Sequence, residues 1–149
     1  MTRRITLLAM VVLLVGVASM AGEAAWFDTN CDMCKNMYGA EGLMANMSWE
    51  QYELSNGIVS VTTVDPKYMD TYRTAHAKMG ESVKRMQAGE QLALCGSCTY
   101  MGMCMMKGAA QDYVETKTGD IWIVTASSPE LVAELQTWAK RNEEEKAKM

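Results

Sequence analysis

The sequence predicts an α+β fold in which two αββα units share one antiparallel four-stranded sheet packed with helices. Three observations lead there. The pattern Cys-x-x-Cys-x-x-Met occurs twice, as Cys31, Cys34 and Met37 and again as Cys95, Cys98 and Met101. Placing Cys31 on Cys95 sets Trp49 on Tyr113 and, with short gaps, Gly57 on Gly119 and Pro66 on Pro129. After each motif the same signals follow in the same order: two strand-like stretches around a turn, then a helix start.

The first 24 residues read as an export signal. Arg3 and Arg4 precede an apolar run from Ile5 to Ala18, shorter than the about 20 residues that span a bilayer. Small residues for cleavage follow, in Ser19-Met20-Ala21 and Gly22-Glu23-Ala24. The expected product is a periplasmic or secreted protein, not embedded in the membrane. Residues 25–149 then form a single domain of two repeats, about 26–90 and 91–149, since a repeat of this size buries little core alone.

In the first repeat, Trp49–Leu54 and Ile58–Val64 are predicted strands across Ser55-Asn56-Gly57, where Asn-Gly favours a tight hairpin. Asp65-Pro66 offers a capping carboxylate before a Pro at the first helical position. From Tyr68 to Met86 the residues Met69, Tyr72, His76, Met79, Val83 and Met86 recur at helical spacing and mark one face. In the second repeat, Tyr113–Lys117 and Ile121–Ala126 flank Thr118-Gly119-Asp120, and Ser128-Pro129 opens the last helix. Leu131, Val132, Leu135 and Trp138 form its apolar face. From Asn142 through Glu143, Glu144 and Glu145 the helix is expected to fade into a solvated end. The four tryptophans, Trp26, Trp49, Trp122 and Trp138, are expected core anchors.

The formal charge of −4, with no basic stripe, argues against a nucleic-acid partner. One histidine among 149 residues, and no phosphate loop, Gly-x-Ser-x-Gly or His-Glu-x-x-His, leaves no hydrolase constellation. Binding is expected rather than catalysis.

The cysteine motifs carry the chemistry. A thiolate pair followed by a thioether suits soft metals, Cu(I) first. If the two pairs converge, four thiolates suit Zn(II) or an iron–sulfur cluster instead. The bland reading is two disulfides stapling an exported domain whose surface does the work. A thiol-redox protein using Cys95 and Cys98, with Cys104 as resolving thiol, is the enzymatic alternative. Covalent haem is disfavoured because Lys35 and Thr99 stand where a histidine is needed.

Methionine is abundant, 15 residues against a single Phe, and much of it replaces ordinary core residues. The run Met101-Gly-Met103-Cys104-Met105-Met106 is denser than one helix face requires and reads as a soft-donor patch or an adaptable contact surface. His76, the only histidine, is either a core residue or a ligand beside Met79; Ala139 takes its place in the second repeat. The expected metal residues are therefore Cys31, Cys34, Met37, Cys95, Cys98, Met101, Cys104 and His76. They would pass a metal ion to a receiving metalloprotein or transporter.

Cys31, Cys34 and Met37, with a hairpin to Val64 and a helix bearing His76, resemble YHS-type metal-binding modules. The same residues resemble the copper chaperone family serving nitrous oxide reductase, which repeats a ββα unit. The resemblance implies periplasmic copper delivery. It departs where those families place Gly directly after the second Cys and a further cysteine site after the hairpin, since Val64-Asp65 and Ala126-Ser127 occupy the latter positions.

Overall fold

The computed structural model describes residues 24–149. The segment read as an export signal lies outside the described residues, except for Ala24. Among those residues no helix is long and apolar enough to cross a membrane.

Two hairpins build the sheet. Strands β1 (Met47–Leu54) and β2 (Gly57–Val64) pair with Leu54 opposite Gly57, so Ser55-Asn56 is the turn. Strands β3 (Ala110–Thr116) and β4 (Gly119–Thr125) pair with Thr116 opposite Gly119. The hairpins join through β2 and β4, antiparallel, giving the order β1-β2-β4-β3. The helices are α1 (Lys35–Tyr38), α2 (Met69–Gln87), α3 (Gly96–Met106) and α4 (Pro129–Lys146), with 3₁₀ turns at Met44–Asn46 and Pro66–Tyr68. Helix–strand–strand–helix thus occurs twice along the chain.

Glycine decides how closely the hairpins meet. A Cβ on Gly57 would lie 1.9 Å from the Val124 carbonyl oxygen, and one on Gly119 would lie 2.0 Å from that of Thr62. Gly119 also has φ 144°, which L side chains rarely adopt. Each hairpin therefore opens its inner strand with the one residue that lets the other inner strand approach.

Both helix-start signals act as expected. The Asp65 carboxylate accepts from the Lys67 N–H at 2.9 Å, and the Ser128 hydroxyl accepts from the Leu131 N–H at 3.2 Å. All four helices lie over one face of the sheet. Ile58 and Val124 pack with Met101, Cys104, Leu131, Leu135 and Trp138, while Val64 packs with Leu43, Met69, Tyr72 and Ala75. Of the four tryptophans, Trp26 and Trp138 are buried; Trp49 and Trp122 are half-buried.

The end of α4 departs from expectation. The helix continues to Lys146, and Asn142 is only 3% exposed. Its Oδ1 accepts from Trp26 Nε1 at 2.7 Å and from the Ser97 hydroxyl at 3.0 Å. A polar residue flanked by glutamates reads locally as a solvated end. The partners that bury it come from 45 and 116 residues away in the chain.

Candidate metal centre

Each cysteine motif sits where the chain enters a helix. Cys31 and Cys34 precede α1, and the Lys35 N–H donates to the Cys31 carbonyl at 2.8 Å. Cys95 is the N-cap of α3, with Cys98 in its first turn, and the Thr99 N–H donates to the Cys95 carbonyl at 2.9 Å. The two-residue spacing thus turns both sulfurs of a motif toward one point.

Backbone ties bring the motifs together. Asp32 and Ala93 clamp each other: the Asp32 N–H donates to the Ala93 carbonyl at 2.8 Å, and the Ala93 N–H donates to Asp32 Oδ2 at 2.8 Å. Ser82, on α2, donates its hydroxyl to the Asp32 carbonyl at 3.1 Å. On the other side, Gly96 and Ser97 donate their N–H groups to the carbonyls of Ala25 and Trp26 at 2.9 and 3.0 Å.

As a result the Sγ atoms of Cys31, Cys34, Cys95 and Cys98 all lie within 4.8 Å of one another. Cys34 is 3.4 Å from Cys98 and 3.9 Å from Cys95. Cys31 and Cys95 are each 2% exposed, whereas Cys34 and Cys98 are half-buried. The edge of a tetrahedron of thiolates around an ion at 2.3 Å is about 3.8 Å. The cluster is close to that size, so the four cysteines are able to hold a single metal ion. All five cysteines are free thiols, and even the 3.4 Å pair is well beyond the about 2.05 Å of a disulfide.

Four crowded sulfurs share charge unequally. Hydrogen bonds from Cys34 and then Cys98 hold the Cys95 thiol far below its usual range, helped by the Cys98 backbone N–H. The contact with Cys95 pushes Cys34 upward, and those with Cys34 and then Cys95 push Cys98 upward. A cation bound among the four sulfurs would displace thiol protons.

The other expected ligands lie in different surroundings. Met101 belongs to the buried cluster under α4, and Met37 packs against the Leu43 cluster. Cys104 is fully buried in the first of these, and burial raises its thiol pKa. His76 stacks on Tyr113, ring centroids 4.9 Å apart, with Tyr72 at 5.9 Å on its other side. Neither Cys104 nor His76 joins the four-cysteine group. Helical spacing placed His76 on an apolar face, and there its ring meets a tyrosine of β3. The soft-donor patch divides likewise, with Met106 82% exposed and Met101 buried.

Two residues around the site were not expected from sequence. Asp32 is the clamp between motifs, its carboxyl held below the usual range first by the Lys35 ammonium. Tyr38 lies near all four sulfurs, its phenol pushed up to about 12 by burial and then by Cys34 and the other three cysteines. An acidic residue inside Cys-x-x-Cys is a local signal for the first; nothing local marks the second.

No family model, no curated protein and no solved structure matches this chain.

Proposed function

We propose that this chain is an exported protein that holds one thiophilic metal ion between its two halves, in a shell of Cys31, Cys34, Cys95 and Cys98. The convergence of four sulfurs within 4.8 Å carries this reading. Zn(II) is the ion the shell fits best, because a compact set of four thiolates is the donor set of a tetrahedral zinc site. A multi-iron cluster would hold its thiolates further apart than a single ion does. The shell is complete without Met37 or Met101, so the thioether argument for Cu(I) loses its weight. The repeated helix–hairpin–helix order supports a duplicated unit, with the metal where the two copies meet.

A second reading, a Cu(I) chaperone or scavenger, has one observation in its favour. Cys34 and Cys98 are half-exposed and 3.4 Å apart, which gives an acceptor metalloprotein or transporter two soft donors to exchange with.

Native mass spectrometry of the protein purified anaerobically from the host periplasm or medium decides between them. One zinc per chain, with five titratable thiols after its removal, is the expected result. Bound copper selects the carrier. Loss of two hydrogens per cysteine pair, with no metal, overturns the proposal in favour of a stapled domain, and insulin reduction with turnover overturns it in favour of a redox enzyme. Recovery only in whole cells or cytosol overturns export.

A further inference from the structure

Among the described residues, the helices cover one face of the sheet and none covers the other. On that bare face the register lines up two rows across the four strands. Tyr52, Val59, Ile123 and Asp112 form one; Glu50, Val61, Ile121 and Val114 form the other. None of the six apolar residues packs in either core cluster. Tyr52 and Val114 are each 51% exposed, and the four central aliphatics are half-buried. A one-sided antiparallel sheet normally turns polar residues outward. Here its two inner strands turn out β-branched ones.

We propose that this face is where two copies of the chain associate, sheet on sheet, as a weak symmetric dimer. The arrangement of the rows argues for a second copy. The antiparallel β2–β4 register has a local two-fold that exchanges Val59 with Ile121, Val61 with Ile123, Tyr52 with Val114 and Glu50 with Asp112. A symmetric dimer requires a patch that matches itself. Laying one such face on another about either in-plane axis stacks the four central aliphatics on those of the partner. Each carboxylate then meets Tyr52 or Val114 of the partner and never another carboxylate. Glu50, beside Tyr52 on its own strand, raises the phenol's pKa, and the Tyr52 hydroxyl suits a partner carboxylate.

The area sets the strength. Four strands about 4.8 Å apart and seven residues of about 3.3 Å present roughly 450 Å² per copy. The total of about 900 Å² falls below the about 1,200–2,000 Å² of stable complexes, so association is expected to be weak. Each copy carries a formal charge of −4, so raising salt should tighten association a few-fold. The inference does not rest on the metal centre.

Sedimentation equilibrium of the purified metal-loaded protein, from about 10 μM to 1 mM, tests it. Val61→Glu and Ile121→Glu should each weaken association at least tenfold while metal content and circular dichroism stay unchanged. If either variant unfolds, Tyr52→Glu, at a half-exposed position, replaces it with the same expectation. A monomer throughout the range overturns the proposal. So does a dimer of unaltered affinity in the folded variants, which places the contact on another face.

Discussion

Four sulfurs within 4.8 Å of one another make Cys31, Cys34, Cys95 and Cys98 the residues on which a metal ion would depend. Cys95→Ser removes the sulfur that both Cys34 and Cys98 face, leaving three donors. Metal affinity should fall at least 100-fold, measured by chelator competition; unchanged affinity would place the ion elsewhere. His76 allows a separate test because it is the only histidine. Burial lowers its pKa below the ordinary 6.5, with Glu115 opposing weakly. The folded state therefore resists protonating it. The stability it contributes is present above pH 6.5 and is lost as pH falls toward the depressed value. His76→Gln should flatten the stability-against-pH curve in that window, relative to wild type. An identical slope in both proteins would show that His76 titrates as in water. Glycine supplies the third residue-scale case. Gly119→Ala should destabilise by about 1–3 kcal/mol, since φ 144° and a carbonyl at 2.0 Å both oppose a methyl. Gly80→Ala, in the middle of α2 with nothing within 4 Å, should stabilise by about 0.5–1 kcal/mol. Denaturant midpoints report both, and equal shifts would refute the steric account.

Among the elements, α4 is the most informative. Its capped start and its apolar stripe follow from local chemistry. Its last turns do not, because Asn142 is buried by Trp26 and Ser97. The Trp138 indole N–H donates to the Ser97 carbonyl at 3.0 Å, which ties α4 to the first turn of α3, where Cys95 is the N-cap and Cys98 lies. Asn142→Leu would strand the Trp26 indole N–H in an apolar setting, at a cost of about 1–3 kcal/mol. It should also loosen the loop before α3, so metal affinity should fall along with the unfolding midpoint. A stability loss with no change in metal affinity would show the loop to be held by its backbone bonds alone.

For the whole molecule, an ion held by the cysteine cluster would be a cross-link between residues 31–34 and 95–98. An ion bound only by the folded chain adds stability that grows with its saturation, about 2.7 kcal/mol at a hundredfold excess over Kd. Chelation should therefore lower the melting temperature by on the order of 10 °C, reversibly under reducing conditions. A melting temperature indifferent to chelator would mean that the two halves are joined by packing alone. Much of this architecture was legible beforehand. The doubled cysteine motif, the Asn-Gly turn, the Asp-Pro and Ser-Pro helix starts and the strand alternation are local signals, each with its own short-range chemistry. They specify four strands and the long helices, and among the eight expected ligands they mark the four cysteines that lie together. The other four, Met37, Met101, Cys104 and His76, were chosen by residue type, and type does not reveal what covers a side chain.

Sequence alone determined the paired cysteine motifs and most of the segments that become strands or helices, because capping, turn geometry and periodicity act within a few residues. The tertiary structure decided that the four thiols meet and that His76 belongs to an aromatic stack. It also decided that Asn142 is interior and that one face of the sheet is bare. Each of these depends on contacts between segments tens of residues apart, formed only when the hairpins join through β2 and β4 and all the helices settle on the same side.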